Sequence, residues 1–131
     1  MSYQHQSQKT FEEISEHIRK HLEARDWQDN PARGLAVSIS LEASELLEHY
    51  QWNDSAVGSK EDLASELADI FIYAIQFAQA TGIDITEAIE QKLQEAAKKY
   101  PAEQFKGKEP GAKHDAWIAA KLNYNEQKRG L

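Results

Sequence analysis

The sequence contains no cysteine, which excludes a disulfide framework, a thiolate-held Fe–S cluster and a cysteine-ligated zinc site. It has no run of about 18 apolar residues, so we expect no transmembrane helix. The first ten residues are polar and contain no apolar signal region, and with no cysteine in the chain we expect a cytoplasmic protein by default. The 131 residues, of which 40% are hydrophobic and 28% charged, are typical of one globular domain.

Basic residues are scarce, with 15 Lys and Arg against 22 Asp and Glu. Binding to a nucleic-acid backbone requires a basic face, so we expect no nucleic-acid partner, and the lack of a long apolar run argues against a membrane partner. The excess of acidic over basic residues lies between Leu35 and Ala80, where there are eight acidic residues and Lys60 is the one Lys or Arg. Such a segment is typical of a divalent cation site, and it also fits a solvated acidic surface.

The hydrophobic pattern has the period of an α-helix, and no segment reads as a strand pair. Residues that cap helices mark the predicted starts, namely Thr10 with Glu13, Asn30 with Pro31, Ser59 with Asp62, and Asp84 with Glu87. Gly82 and Pro101 are natural terminators. We therefore predict an all-α fold with a four-helix core and a C-terminal extension, in which 112–128 forms a short helix. The apolar stretch Ile70–Ala80 favours a helix inside a bundle or at an oligomer interface.

Two acidic pairs share one spacing, Glu42-x-x-Glu45 and Glu66-x-x-Asp69. Residues three apart project from the same face of a helix, so two neighbouring helices can bring four carboxylates together. Glu42 falls on the apolar stripe of its helix, where an uncompensated carboxylate is costly. Because few Lys or Arg residues are nearby and all four ligands are hard oxygens, Mg²⁺ or Mn²⁺ is the candidate counter-ion. A solvated acidic face remains the alternative.

These residues and their surroundings resemble the MazG-like all-α nucleoside-triphosphate (NTP) pyrophosphohydrolases, which carry E-x-x-E followed by E-x-x-D. Here the pairs are 20 residues apart, within the segments 41–48 and 66–73. The sequence is most similar to the dCTP pyrophosphatase branch, through Arg25-Asp26-Trp27 and Gln51-Trp52. The resemblance covers about 10–105. One departure is Ala96, where the family often has an asparagine that helps to hold the substrate.

The resemblance implies hydrolysis of (deoxy)nucleoside triphosphates, dCTP-like pyrimidine nucleotides among them, to the monophosphate and pyrophosphate in nucleotide-pool clean-up. It implies Mg²⁺, with Mn²⁺ as a substitute, held by Glu42, Glu45, Glu66 and Asp69, with Glu45 as the candidate catalytic base. Candidate substrate-binding residues are Trp27, Trp52, Tyr73, Lys92 and Lys99. It also implies a homodimer or homotetramer. The corresponding domain limits are a polar tail over 1–9, the MazG-like domain over 10–105 and an extension over 106–131.

Two alternatives belong to other functional classes. A non-catalytic helical interaction module would carry the same acids as a solvated face. A di-iron carboxylate bundle would also use inward-facing acids, but it requires Glu-x-x-His in two helices, where this chain has Glu45 and Asp69. We interpret His17 and His21, which are four residues apart, as surface residues.

Overall fold

The structure is a computed structural model that describes residues 8–130. These residues form five α-helices and no β-strand, which confirms the predicted all-α fold. None of the described helices is long and apolar enough to cross a membrane. The helices are α1 (Phe11–Glu23), α2 (Ala32–Glu48), α3 (Lys60–Thr81), α4 (Ile85–Lys99) and α5 (Pro110–Lys128), with a 3₁₀ turn at Ala102–Gln104. The chain divides into two compact units, of which the first extends to Ile83 and the second begins at Asp84.

Helix α3 begins and ends where the sequence predicts. The Ser59 hydroxyl accepts a hydrogen bond from the Asp62 backbone N–H at 3.2 Å, and the Asp62 carboxylate accepts one from the Ser59 N–H at 2.9 Å. This reciprocal capping box satisfies two N–H groups that the first turn would leave unpaired. At the other end Gly82 has a φ of 70°, in the left-handed region that glycine adopts at low cost.

The start of α2 differs from the prediction by one position. Pro31, and not Asn30, is the N-cap, with φ −63° and ψ 141°, and no side chain caps this end. Proline fixes φ but not ψ, so its φ fits both the first helical residue and the extended residue before it. The helix ends at Glu48.

The end of α1 places Trp27 beside its own helix. Asp26 has a φ of 57°, and the Asp26 N–H donates to the Glu23 carbonyl at 3.1 Å. The Trp27 N–H donates to the Leu22 carbonyl at 2.9 Å. This hydrogen-bond pair is the Schellman arrangement, with Asp26 where glycine is usual. It turns the chain back toward α1, so the indole lies 6.5 Å from the His21 ring.

In the first unit, α2 and α1 each pack against α3. The apolar residues buried most completely in this unit are Leu22 of α1, Leu35 of α2, and Ile75 and Ala78 of α3. These side chains supply the hydrophobic contact that favours the three-helix arrangement. A hydrogen bond also connects α3 to α1, in which the Gln79 amide donates to the Ser15 backbone carbonyl at 2.8 Å.

In the second unit, α5 packs against α4. The Tyr124 hydroxyl donates to the Glu95 carboxylate, and the Tyr100 ring stacks on Trp117 at 6.3 Å with an interplanar angle of 8°. Helix α5 has 19 residues, so the predicted short helix at 112–128 is observed and begins two residues earlier. The predicted domain limits stay a prediction, and most of the tail at 1–9 lies outside the described residues.

Candidate metal site and the adjoining cavity

Three of the four predicted carboxylates lie together between α2 and α3. One carboxylate oxygen from each of Glu42, Glu45 and Glu66 lies within 4.8 Å of the others. Contacts along the interface show that the two helices run antiparallel. Glu45 faces Glu66, whereas His49, which comes later in the chain, faces the loop that precedes α3. In this register the three-residue spacing of each acidic pair places its members one turn apart along the same interface.

The group has little compensation from the protein. The Glu42 Oε2 atom is buried and has no hydrogen-bond partner. Within residues 8–130, Lys and Arg form ion pairs with Glu16 and Glu95 and with none of these three acids. A buried carboxylate oxygen without a partner loses its hydration and gains nothing in return, unless a proton or a cation occupies the space.

Both acids of the α2 pair bind protons more readily than usual. Burial raises the pKa of Glu42, and the charges of Glu45 and Asp69 raise it further. The pKa of Glu45 is raised chiefly by a shared hydrogen bond with Glu66 and by the Glu66 charge. Like charges at this distance disfavour full ionisation, so the group suits a divalent cation. All three ligands are oxygens, which Mg²⁺ and Mn²⁺ prefer.

Asp69 lies on the same side of α3 but outside the group of three. Its charge acts on Glu42, while its side chain lines a cavity of about 480 Å³ in the first unit. Trp27 and Tyr73 line the same cavity, as do His17 and His21. Pockets of this size suit a small organic ligand. One cavity is therefore lined both by Asp69, whose charge acts on the carboxylate group, and by Trp27 and Tyr73, two of the predicted substrate-binding residues.

The other predicted substrate-binding residues have different surroundings. Trp52 follows α2, is 83% exposed and is not among the residues that line the cavity. Lys92 lies on the exposed side of α4, 4.0 Å from the Glu95 carboxylate. The Lys99 ammonium lies 4.8 Å from the centre of the Tyr124 ring and 5.3 Å from that of Tyr100. The roles assigned to these three residues stay predictions.

Three histidines that are not among the predicted site residues lie near this region. His17 and His21 are exposed, as predicted, but they also border the cavity. Their spacing of four residues on α1 was the available signal, since it places both side chains on one face of the helix. His49 was missed because its contact joins residues 17 positions apart, which no local pattern reveals. Its Nε2 lies 3.6 Å from a Glu66 oxygen.

Comparison with known proteins finds similar sequences and a similar structure. The MazG-like family model matches residues 37–114, which include both acidic pairs. The chain is 28% identical over 110 residues to dCTP pyrophosphatase 1 of Bos taurus and 27% identical over 107 residues to that of Mus musculus. These matches cover 77% and 75% of this chain, but only 65% and 63% of the two relatives, which is less than two thirds of their length.

A solved structure is also similar. A pyrophosphatase from Archaeoglobus fulgidus superposes with a TM-score of 0.64 at 31% identity, over 74% of this chain and 97% of that one. The similarity extends to fold as well as sequence, and the family match spans more than half of the residues. The chain therefore belongs to the MazG-like family.

Proposed function

We propose that this protein is a Mg²⁺-dependent NTP pyrophosphohydrolase, which cleaves (deoxy)nucleoside triphosphates into the monophosphate and pyrophosphate. The observation that carries the proposal is the group formed by Glu42, Glu45 and Glu66, with the buried, unpartnered Glu42 oxygen. Relatives named as pyrophosphatases support the reaction type. Mg²⁺ prefers oxygen ligands and commonly completes its shell with water and substrate phosphates.

In the proposed mechanism Glu42, Glu66 and Asp69 are metal ligands together with Glu45. When bound, Mg²⁺ would offset phosphate charge and lower the pKa of a water that attacks the α-phosphorus. Glu45 is the exposed member of the group, whereas Glu42 and Glu66 are half-buried. Its exposure leaves the Glu45 carboxylate accessible to a water molecule in the site. We therefore assign Glu45 the removal of the proton from the attacking water.

The cavity supplies the proposed binding place for the base. Trp27 and Tyr73 offer ring faces on which a nucleobase can stack, and Asp69 joins this cavity to the carboxylate group. The names of the relatives favour a dCTP-like pyrimidine nucleotide. Hydrolysis of such nucleotides would serve to clear unwanted members of the nucleotide pool.

The remaining assignments are part of the same proposal. Lys92 and Lys99 are assigned to the β- and γ-phosphates, and Trp52 is assigned to the base. We also propose a homodimer or homotetramer in the cytoplasm. Exposed apolar side chains on the two helices that carry the acids are consistent with self-association, and they include Leu41, Leu47, Leu67 and Phe71.

The test is a panel of all ribo- and deoxyribonucleoside triphosphates incubated with Mg²⁺, in which pyrophosphate and orthophosphate are measured separately. We expect pyrophosphate as the first product and no reaction when the metal is chelated. The variant Glu45→Gln should lower kcat by at least about a hundredfold, since it loses both a ligand and the base. Glu90→Gln is a matched control, because Glu90 is exposed on α4 and outside the carboxylate group.

The alternatives predict different results. A non-catalytic module would release no pyrophosphate from any nucleotide, with or without Mg²⁺. A di-iron bundle would contain stoichiometric iron and show its absorption bands after purification. Orthophosphate as the first product would contradict cleavage between the α- and β-phosphates.

A further inference from the structure

The loop between α2 and α3 holds the imidazole of His49 in a fixed orientation. The Gly58 backbone N–H donates to His49 Nδ1 at 3.2 Å, and the Val57 N–H donates to the His49 carbonyl at 2.9 Å. Two consecutive backbone groups thus bind one residue, through its ring and through its main chain. The side chain is only 17% exposed.

Gly58 makes this arrangement possible for steric reasons. A Cβ at this position would lie 2.5 Å from His49 Cε1 and 2.6 Å from His49 Nδ1, closer than such atoms approach. A Cβ would also lie 3.0 Å from the Asp62 Cβ, so the space on that side is filled as well. Any larger residue must displace the imidazole. The absence of a side chain at 58 is therefore what lets the backbone N–H reach the ring.

The hydrogen bond at Nδ1 determines which nitrogen of the neutral ring carries the proton. Because Nδ1 accepts from Gly58, the proton must lie on Nε2. That nitrogen faces Glu66 Oε1 at 3.6 Å. The Nε2–H therefore lies beside the Glu66 carboxylate, which also contributes an oxygen to the group with Glu42 and Glu45.

We propose that His49 is a positioning residue, held by Gly58 so that its Nε2–H orients the Glu66 carboxylate toward the metal group. The inference rests on the proposed metal site and adds a residue outside both acidic pairs. A ligand carboxylate that a neighbouring N–H group holds in place has fewer rotamers available, so less entropy is lost when a cation binds. Outer partners of this kind typically contribute about tenfold to hundredfold in metal affinity.

Two substitutions separate the hydrogen bond that the ring accepts from Gly58 from its contact with Glu66. In His49→Asn the side-chain oxygen can take the place of Nδ1 and keep the bond from Gly58, but nothing reaches Glu66. In His49→Gln the longer amide can replace Nε2 and donate to Glu66, but the bond from Gly58 is lost. A third variant, Gly58→Ala, leaves the histidine in place and displaces its ring.

Mn²⁺ affinity, measured by calorimetry without nucleotide, should fall about tenfold to hundredfold in His49→Asn and in Gly58→Ala. It should stay closer to the wild-type value in His49→Gln. Circular dichroism and thermal melting would establish that each variant is folded. An equal loss in His49→Asn and His49→Gln would reduce the role of His49 to anchoring the loop and would overturn the proposal, as would an unchanged affinity in His49→Asn.

Two spectroscopic readouts complete the test. In the metal-free protein at pH 8, ¹⁵N NMR should show His49 protonated at Nε2, and protonation at Nδ1 would overturn the proposal. The absorption spectrum of the Co²⁺-saturated protein should keep its shape in His49→Asn, since a changed spectrum would make His49 a ligand instead. Mn²⁺ binding without pyrophosphate release would contradict the proposed reaction alone, and a wrong ring proton would contradict this inference alone.

Discussion

Replacement of Glu42 by Gln should have opposite effects on the metal-free and the metal-bound protein. Burial raises the pKa of Glu42 above its ordinary value of 4.5. Below pH 4.5 both the folded and the unfolded chain carry the proton. As pH rises above that value the unfolded chain releases it first, so the free energy of unfolding falls until the folded-state pKa is passed. Glutamine has no proton to release, so the free energy of unfolding of Glu42→Gln does not fall in this way. Without metal the variant should therefore be more stable than the wild type above pH 4.5.

With metal bound, the wild type should instead be more stable than Glu42→Gln. A cation that binds only the folded state, at a hundredfold excess over its Kd, stabilises the wild type by about 2.7 kcal/mol. For a chain of this length that corresponds to a rise in Tm of about 10 °C. Loss of one of three grouped carboxylates should weaken binding by at least about a hundredfold, comparable to the largest effects of outer-shell partners. At the same metal concentration the variant should then gain only about 1–2 °C.

The assay is thermal unfolding followed by circular dichroism between pH 4 and pH 8, with and without Mn²⁺ or Mg²⁺. Glu90→Gln, which removes an exposed acid from α4, is the control for the change in net charge. A metal-free Glu42→Gln protein that is less stable than the wild type at pH 7 would refute the reasoning about the buried oxygen. An undiminished metal-induced rise in Tm would refute the assignment of Glu42 as a ligand.

Three further outcomes are expected. Ser59→Ala removes the cap of α3 and should lower the free energy of unfolding by about 1 kcal/mol, measured with urea, while Ser59→Asp should restore most of it. Trp27→Ala should raise the KM for the preferred nucleotide by about fivefold to a hundredfold with a smaller change in kcat, because base stacking on an aromatic ring contributes about 1–3 kcal/mol. Hydrogen bonds from the Glu87 N–H and the Thr86 hydroxyl lower the pKa of Asp84. The stabilisation that Asp84 provides should therefore be present above its ordinary pKa of 3.8 and disappear as pH falls through the folded-state value, a pH dependence that acid titrations of Asp84→Asn should lack.

The helix ends that the sequence predicts correctly are those fixed by local chemistry. Ser59 and Asp62 bond to each other's backbone three residues apart, and Gly82 supplies a left-handed residue. Both signals are complete within one turn of helix. The start of α2 was misplaced because Pro31 has the same φ on either side of the boundary, so only the observed ψ identifies it as the cap.

For the candidate site, the sequence predicts which face of a helix each acid occupies. It does not predict which residues of other helices and loops lie beside that face. The spacing of Glu42 and Glu45 predicts that both project from one side of α2, and the grouping with Glu66 agrees with it. The position of Asp69 in the cavity wall depends on how α1 packs against α3, which no spacing specifies. His49 depends on a loop that returns to the end of the preceding helix, so its contact with Glu66 arises only in the folded chain.

The capping box at Ser59 has a consequence for how this chain can change in length. Glu66 lies seven residues after Ser59, close to two full turns, so its direction is determined by counting from the cap. One residue inserted between Ser59 and Glu66 would rotate the carboxylate by about 100° around the helix axis and away from Glu45. The same insertion at 53–56 would only enlarge the loop, provided that Gly58 still reaches His49. Insertions and deletions should therefore be tolerated in front of Val57 and harmful after Ser59.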